Sequence, residues 1–95
     1  MHAVVRAYNG KGAKELMDVL ERRKSEVEKL MRGCKGFVSY TLVRSGDGGY
    51  SFTVCQDKAG VDESARLAKD WVAKNAGNTG VAAPHTYEGS VLLHA

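Results

Sequence analysis

The alternation of apolar and polar residues changes character several times along this chain, and each change marks an element. His2 to Tyr8 is rich in Val, Ala and Tyr and reads as a short strand. Asn9-Gly10-Lys11-Gly12 breaks it. From Ala13 to Met31 the period becomes helical, with Ala13, Leu16, Met17, Leu20, Val27, Leu30 and Met31 on one stripe. Asp18 with Arg22 and Glu28 with Arg32 stand four apart on the polar side, and Gly33 supplies a stop. Phe37 to Val43 and Tyr50 to Cys55 are β-branched and aromatic runs around the turn Ser45-Gly46-Asp47-Gly48-Gly49, a hairpin signal. A second helix is predicted from Val61 to Ala76, ending at Gly77. Asn78 to Pro84 is then a loop, and His85 to Leu93 a last strand.

The order β-α-β-β-α-β is the split βαβ of a ferredoxin-like α+β fold, in one domain spanning 1–95. Right-handed crossovers place the first and third strands side by side in the centre of a four-stranded antiparallel sheet, with the helices on one face. The other face should meet water, yet on the second strand Val38, Tyr40 and Leu42 alternate with Phe37, Ser39, Thr41 and Val43, so neither side is properly polar. A second copy's sheet laid over that face would explain the pattern. A homodimer is therefore expected, and a domain of 95 residues also gains stability from pairing.

This layout, with the segment Gly36-Phe37-Val38-Ser39-Tyr40-Thr41-Leu42-Val43-Arg44 after the first helix, resembles the antibiotic-biosynthesis-monooxygenase-like proteins of the dimeric α+β-barrel superfamily. The resemblance covers nearly the whole chain. It implies two subunits whose sheets form a barrel, each with a cavity between sheet and helices. It also implies membership of a group that includes cofactor-independent oxygenases of quinol-like substrates and haem-degrading enzymes. Two departures stand out. Many members end the third strand with an acidic residue two before a tryptophan, where this chain has Val54-Cys55-Gln56-Asp57. Haem-degrading relatives carry a histidine ligand on the second helix, and here that helix has none, so no haem and no other cofactor is expected.

Composition and charge narrow the field further. The net charge of +3 comes from interleaved charges; even Arg22-Arg23-Lys24 is flanked by Glu21 and Glu26, so nucleic-acid binding is not expected. Met1 to Arg6 does not read as a signal peptide, nothing is long enough to span a membrane, and a cytoplasmic protein is the default. Cys34 and Cys55 have no CxxC spacing and read as reduced core thiols. His2, His85 and His94 form no ligand pair for zinc. Gly10-Lys11-Gly12 has two glycines of a dinucleotide fingerprint, but Glu15 stands where the third belongs, so a turn is expected.

Chemistry concentrates in three places. Asp57, Asp62 and Glu63 fall at a helix start, where carboxylates cap free N–H groups and suit the macrodipole. Ser64, Ala65, Ala68, Trp71, Val72 and Asn75 share one broad face of the second helix, whose small residues leave room against the sheet. Trp71 would give that space an aromatic wall and Asn75 an amide, or they are a core filler and a helix end. Asn9, Tyr40, His85 and Tyr87 are further candidates to line the cavity, His85 being the only base near neutral pH. Two readings follow. In one, the dimer binds a small aromatic or quinone-like molecule and acts as a cofactor-independent monooxygenase. In the other, it is a non-catalytic module that binds a ligand or partner.

Overall fold

The computed structural model describes residues 1–95. Strand β1 spans His2–Tyr8, helix α1 Ala13–Arg22, helix α2 Lys24–Arg32, strand β2 Phe37–Ser45, strand β3 Gly48–Cys55, helix α3 Lys58–Asn75 and strand β4 His85–Ser90, with a 3₁₀ turn at Gly77–Thr79 between the last two. The strands form one antiparallel sheet in the order β2-β3-β1-β4, and the helices cover one face, the ferredoxin-like arrangement that the sequence predicts.

Register assigns every strand residue to a face. Arg6 stands opposite Ser51 on β3 and Thr86 on β4, and Val4 opposite Thr53 and Glu88, so these share the helix-covered face. Ala3, Val5, Ala7, Phe52, Tyr50 and Tyr87 share the other. Leu16, Met17, Leu20, Val27 and Met31 from the first two helices meet Tyr8, Ala68 and Ala76 to make the main core. Burying each of the larger side chains contributes about 1.5–3 kcal/mol. Val4, Cys55 and Val61 form a second, smaller cluster.

The connection from β1 to α1 turns through Gly12 at φ 80°, and a side chain there would meet Thr79 O and Val81 N at 2.6 Å. Only glycine lets this turn lie against the loop after α3. Gly10-Lys11-Gly12 is accordingly a turn, with Ala13 N–H donating to Gly10 O at 3.2 Å. The β2–β3 hairpin turns at Gly46-Asp47, where Gly46 supplies the positive φ of 57°.

Three boundaries differ from expectation. The helix predicted over Ala13 to Met31 is broken at Arg23 (φ −114°, ψ 27°). The apolar stripe skips from Leu20 to Val27, so no buried side chain holds residues 21–26 to the sheet. Helix α3 begins at Lys58 instead of Val61, because the Asp57 side chain accepts from Gly60 N–H at 3.2 Å and caps it earlier. Strand β4 ends at Ser90, and Leu92 and Leu93 lie fully out in solvent.

On the uncovered face, Val43, Tyr50, Phe52 and Tyr87 are all exposed, with the Tyr50 and Phe52 rings 6.4 Å apart. An apolar stripe across a sheet face is not a surface built for water.

Candidate functional site

The space between the sheet and the helices holds the least expected side chain of the core, Arg6. This residue occupies the middle of β1, a central strand, and points under the helices with only 4% of its surface exposed. Buried arginines are almost always paired. Arg6 forms no salt bridge, and its Nε and Nη1 have no hydrogen-bond partner. The hydroxyls of Ser51 and Thr53, beside it on β3, are likewise buried and unbonded. Glu88 shares this face of the sheet but is engaged elsewhere, bonding His2 Nε2 at 3.2 Å and lying 4.0 Å from Lys58 Nζ.

Two phenols accompany the guanidinium. Burial pushes the Tyr8 hydroxyl above its ordinary pKa, opposed by the nearby Arg6 charge. The Tyr40 hydroxyl is raised in the same way, with Arg6 again opposing and Ser51 beside it. Both therefore remain protonated donors through neutral pH.

Arg6 and Tyr8 border two different spaces. The inner cavity is enclosed by Leu20, Val27, Leu30, Met31, Tyr40, Ser51 and Trp71, among others, and has a volume of only about 20 Å³. That is room for roughly one water. On the other side of Tyr8 and Val72 lies a groove of about 500 Å³, between α3, the loop of residues 77–84 and the β1–β4 edge. Ligand pockets run from about 300 to 1,000 Å³. Small residues of α3 and the loop, among them Ala65, Ala73, Ala82, Ala83 and Pro84, form its walls, and Lys69 and Thr86 are its other polar members. Thr79 fixes the loop wall: its hydroxyl donates to Ala76 O at 2.7 Å and accepts from Val81 N–H at 3.3 Å.

The predicted site residues separate. Tyr40 and Trp71 come together on the inner cavity. Asn75 lies outside it, at a surface depression between α2 and α3. Its Oδ1 accepts from Arg23 Nη1 at 2.9 Å and its Nδ2 donates to Trp71 O at 3.0 Å, while the Arg23 guanidinium sits 5.2 Å from the Trp71 ring centre. This cluster ties the helix break to the end of α3. His85 pairs with Ala7 and Tyr87 with Val5, so both are on the uncovered face, away from the cavity and the groove. Asn9 is exposed just beyond β1.

The carboxylates at the start of α3 have structural partners. Besides the Asp57 cap, Asp62 pairs with Lys58 at 2.9 Å and Glu63 accepts from Lys35 N–H at 3.0 Å. Burial, the larger cause, and neighbouring carboxylates hold the Cys34 and Cys55 thiols above their ordinary pKa, so neither is a poised nucleophile. No group of three metal-ligating side chains comes together.

Arg6, Tyr8, Lys69 and Thr86 carry the polar chemistry of the groove and were not among the sequence candidates. The available signal was an arginine in the middle of an apolar strand with no acidic residue between His2 and Tyr8. Neither the cavity nor the groove is lined by a His, Asp or Glu. The arrangement is suited to binding and orienting an acidic or hydrogen-bonding group, and it brings no imidazole or carboxylate to that group.

Architecture and site together define a ferredoxin-like chain with a ligand-sized space between its layers. No known family model matches the chain, and neither does any curated protein. Solved structures do share its fold. A monooxygenase from the gene ActVA-Orf6 of Streptomyces coelicolor, in complex with nanaomycin D, is 16% identical with a TM-score of 0.65, over 98% of this chain and 92% of that one. A dimeric ferredoxin-like protein from an uncultured marine organism is 16% identical with a TM-score of 0.66, over 99% and 96%. The haem degrader MhuD of Mycobacterium tuberculosis, with two haems in its active site, is 21% identical with a TM-score of 0.63, over 99% and 97%. The resemblance to the antibiotic-biosynthesis-monooxygenase-like, dimeric ferredoxin-like proteins thus holds at the level of the fold. No helix is long and apolar enough to cross a membrane.

Proposed function

We propose that this protein is a homodimer that binds a small aromatic, quinone-like molecule in each subunit, in the groove between α3 and the sheet, without catalysing its turnover. The observation that carries the reading is the groove itself: ligand-sized, walled by small apolar residues, and ending on the buried polar pair Arg6 and Tyr8. The uncovered apolar sheet face supports pairing, as does the shared fold with a dimeric neighbour. Binding is favoured over oxygenation because neither the cavity nor the groove brings a His, Asp or Glu to take a proton from a bound hydroquinone. His85, the candidate base, stands on the other side of the sheet.

Native mass spectrometry of freshly purified protein, followed by denaturation of the same sample, tests this reading. Twice the chain mass plus an aromatic molecule released on denaturation is expected. A bare monomer would sink it, and oxygen uptake with a bound hydroquinone would restore the monooxygenase reading.

A further inference from the structure

We infer that the ligand's anchoring group is an oxyanion, a carboxylate or a phenolate, held by Arg6 at the inner end of the groove. This rests on the binding role proposed above and narrows it to acidic aromatics taken up in their ionised form. Arg6 is a buried cation whose Nε and Nη1 lack partners, and the fold brings no acid to it. Such a group is costly unless something neutralises it. A water in the 20 Å³ cavity would be neutral and leave the charge unopposed. An oxyanion seated in the groove that Arg6 lines would neutralise the charge, and guanidinium geometry suits it.

The surroundings agree. Tyr8 stays protonated and lines the groove with Arg6, so it can donate to the same oxygen. Thr86 lies directly across from Arg6 on β4, with its side chain in the groove. Lys69 is the other cation on the groove, and no carboxylate opposes an incoming anion. With no base to take a proton, the site must select a molecule already ionised in solution. The inner cavity is too small for the ligand's body, which therefore lies among the small residues of the groove.

Calorimetric binding of 1-naphthoate and its uncharged isostere 1-naphthamide to the wild-type dimer tests the charge requirement directly. Roughly tenfold or tighter binding of the carboxylate is expected, the scale of a charge-assisted hydrogen bond. The phenolate arm uses 4-nitrophenol, whose visible colour reports ionisation: bound to the protein, its apparent pKa should fall. Arg6→Met should abolish the preference and the shift while naphthamide still binds; Arg6→Lys should retain part of both. Equal binding of acid and amide with no shift in the phenol overturns the oxyanion assignment and leaves the small-molecule role standing. If none of the probes binds and native mass spectrometry releases nothing, both fall.

Discussion

Replacing Arg6 by methionine should make the empty protein more stable. A typical core mutation does the reverse. Arg6 is 4% exposed, unpaired, and leaves two guanidinium nitrogens without partners. Exchanging a buried ionic group for an apolar side chain of similar size is neutral or stabilising by about 1–4 kcal/mol. With its charge already unopposed, Arg6 belongs in the upper half of that range, about 2–4 kcal/mol. Methionine is flexible enough to fill the site beside Leu42 and Ala68 without strain. In a domain of this size each kcal/mol moves Tm by about 4–8 °C, so a rise of roughly 10 °C or more follows. The assay is urea and thermal unfolding of protein freed of ligand by unfolding and refolding, at one fixed protomer concentration because the proposed association would contribute. The urea midpoint should rise with its slope unchanged. A fall of about 2 kcal/mol or more would refute the reasoning, since it would mean that Arg6 is paired in the empty protein.

Phe52→Glu places a charge in the middle of the uncovered face and should give a monomer by sedimentation at micromolar concentration; a dimer that survives would show that subunits pair elsewhere. Gly60→Ala should lower stability by about 1–3 kcal/mol in urea, an overpacking cost, because the added carbon would run into Lys35 O and sit 2.9 Å from Cys55 Cβ; an unchanged midpoint would contradict that packing. The Asp18 carboxyl is held below the ordinary 3.8, chiefly by its hydrogen bond from Arg44. Its contribution is therefore present above pH 3.8 and lost as pH falls through the lowered value, so the stability gap between wild type and Arg44→Gln should narrow below that pH; a constant gap would refute the link. Iodoacetamide at neutral pH should leave Cys34 and Cys55 unmodified in the folded protein, read by intact mass, since both thiols are buried and raised in pKa; rapid labelling of either would contradict this.

Much of the fold is legible in the sequence because the strongest local signals agree with the tertiary arrangement. The Ala13–Leu20 stripe and the Gly46-Asp47 turn each permit one solution. The boundaries that shift are those decided by distant partners. Arg23 reads as one more helical residue, yet its side chain bonds Asn75, more than fifty positions away, where the helix breaks. Ala59-Gly60 looks like a loop because glycine is a poor helix former, but Gly60 lies against Lys35 O, where no side chain fits. Val91 to Leu93 continue an apolar run, but β4 pairs with β1 only as far as Ser90.

The candidate site was harder to read because β1 and β4 carry no clean alternation. His85 and Tyr87 are as apt for a pocket as Thr86 by residue type, and only the pairing of His85 with Ala7 sends them to the far face. Arg6 is different, because the predicted topology contained the argument for it. A ferredoxin-like order puts β1 in the centre of the sheet, with helices over one face, and the proposed pairing of subunits would cover the other. An arginine in the middle of such a strand is buried whichever way it points. A buried arginine needs an anion, and neither β1 nor the facing stretch of β3 has an acidic residue. Glu88 on β4 shares the face but is held by His2. Arg6 is therefore a buried cation with no carboxylate of its own chain bonded to it, and that is the observation from which the oxyanion proposal starts.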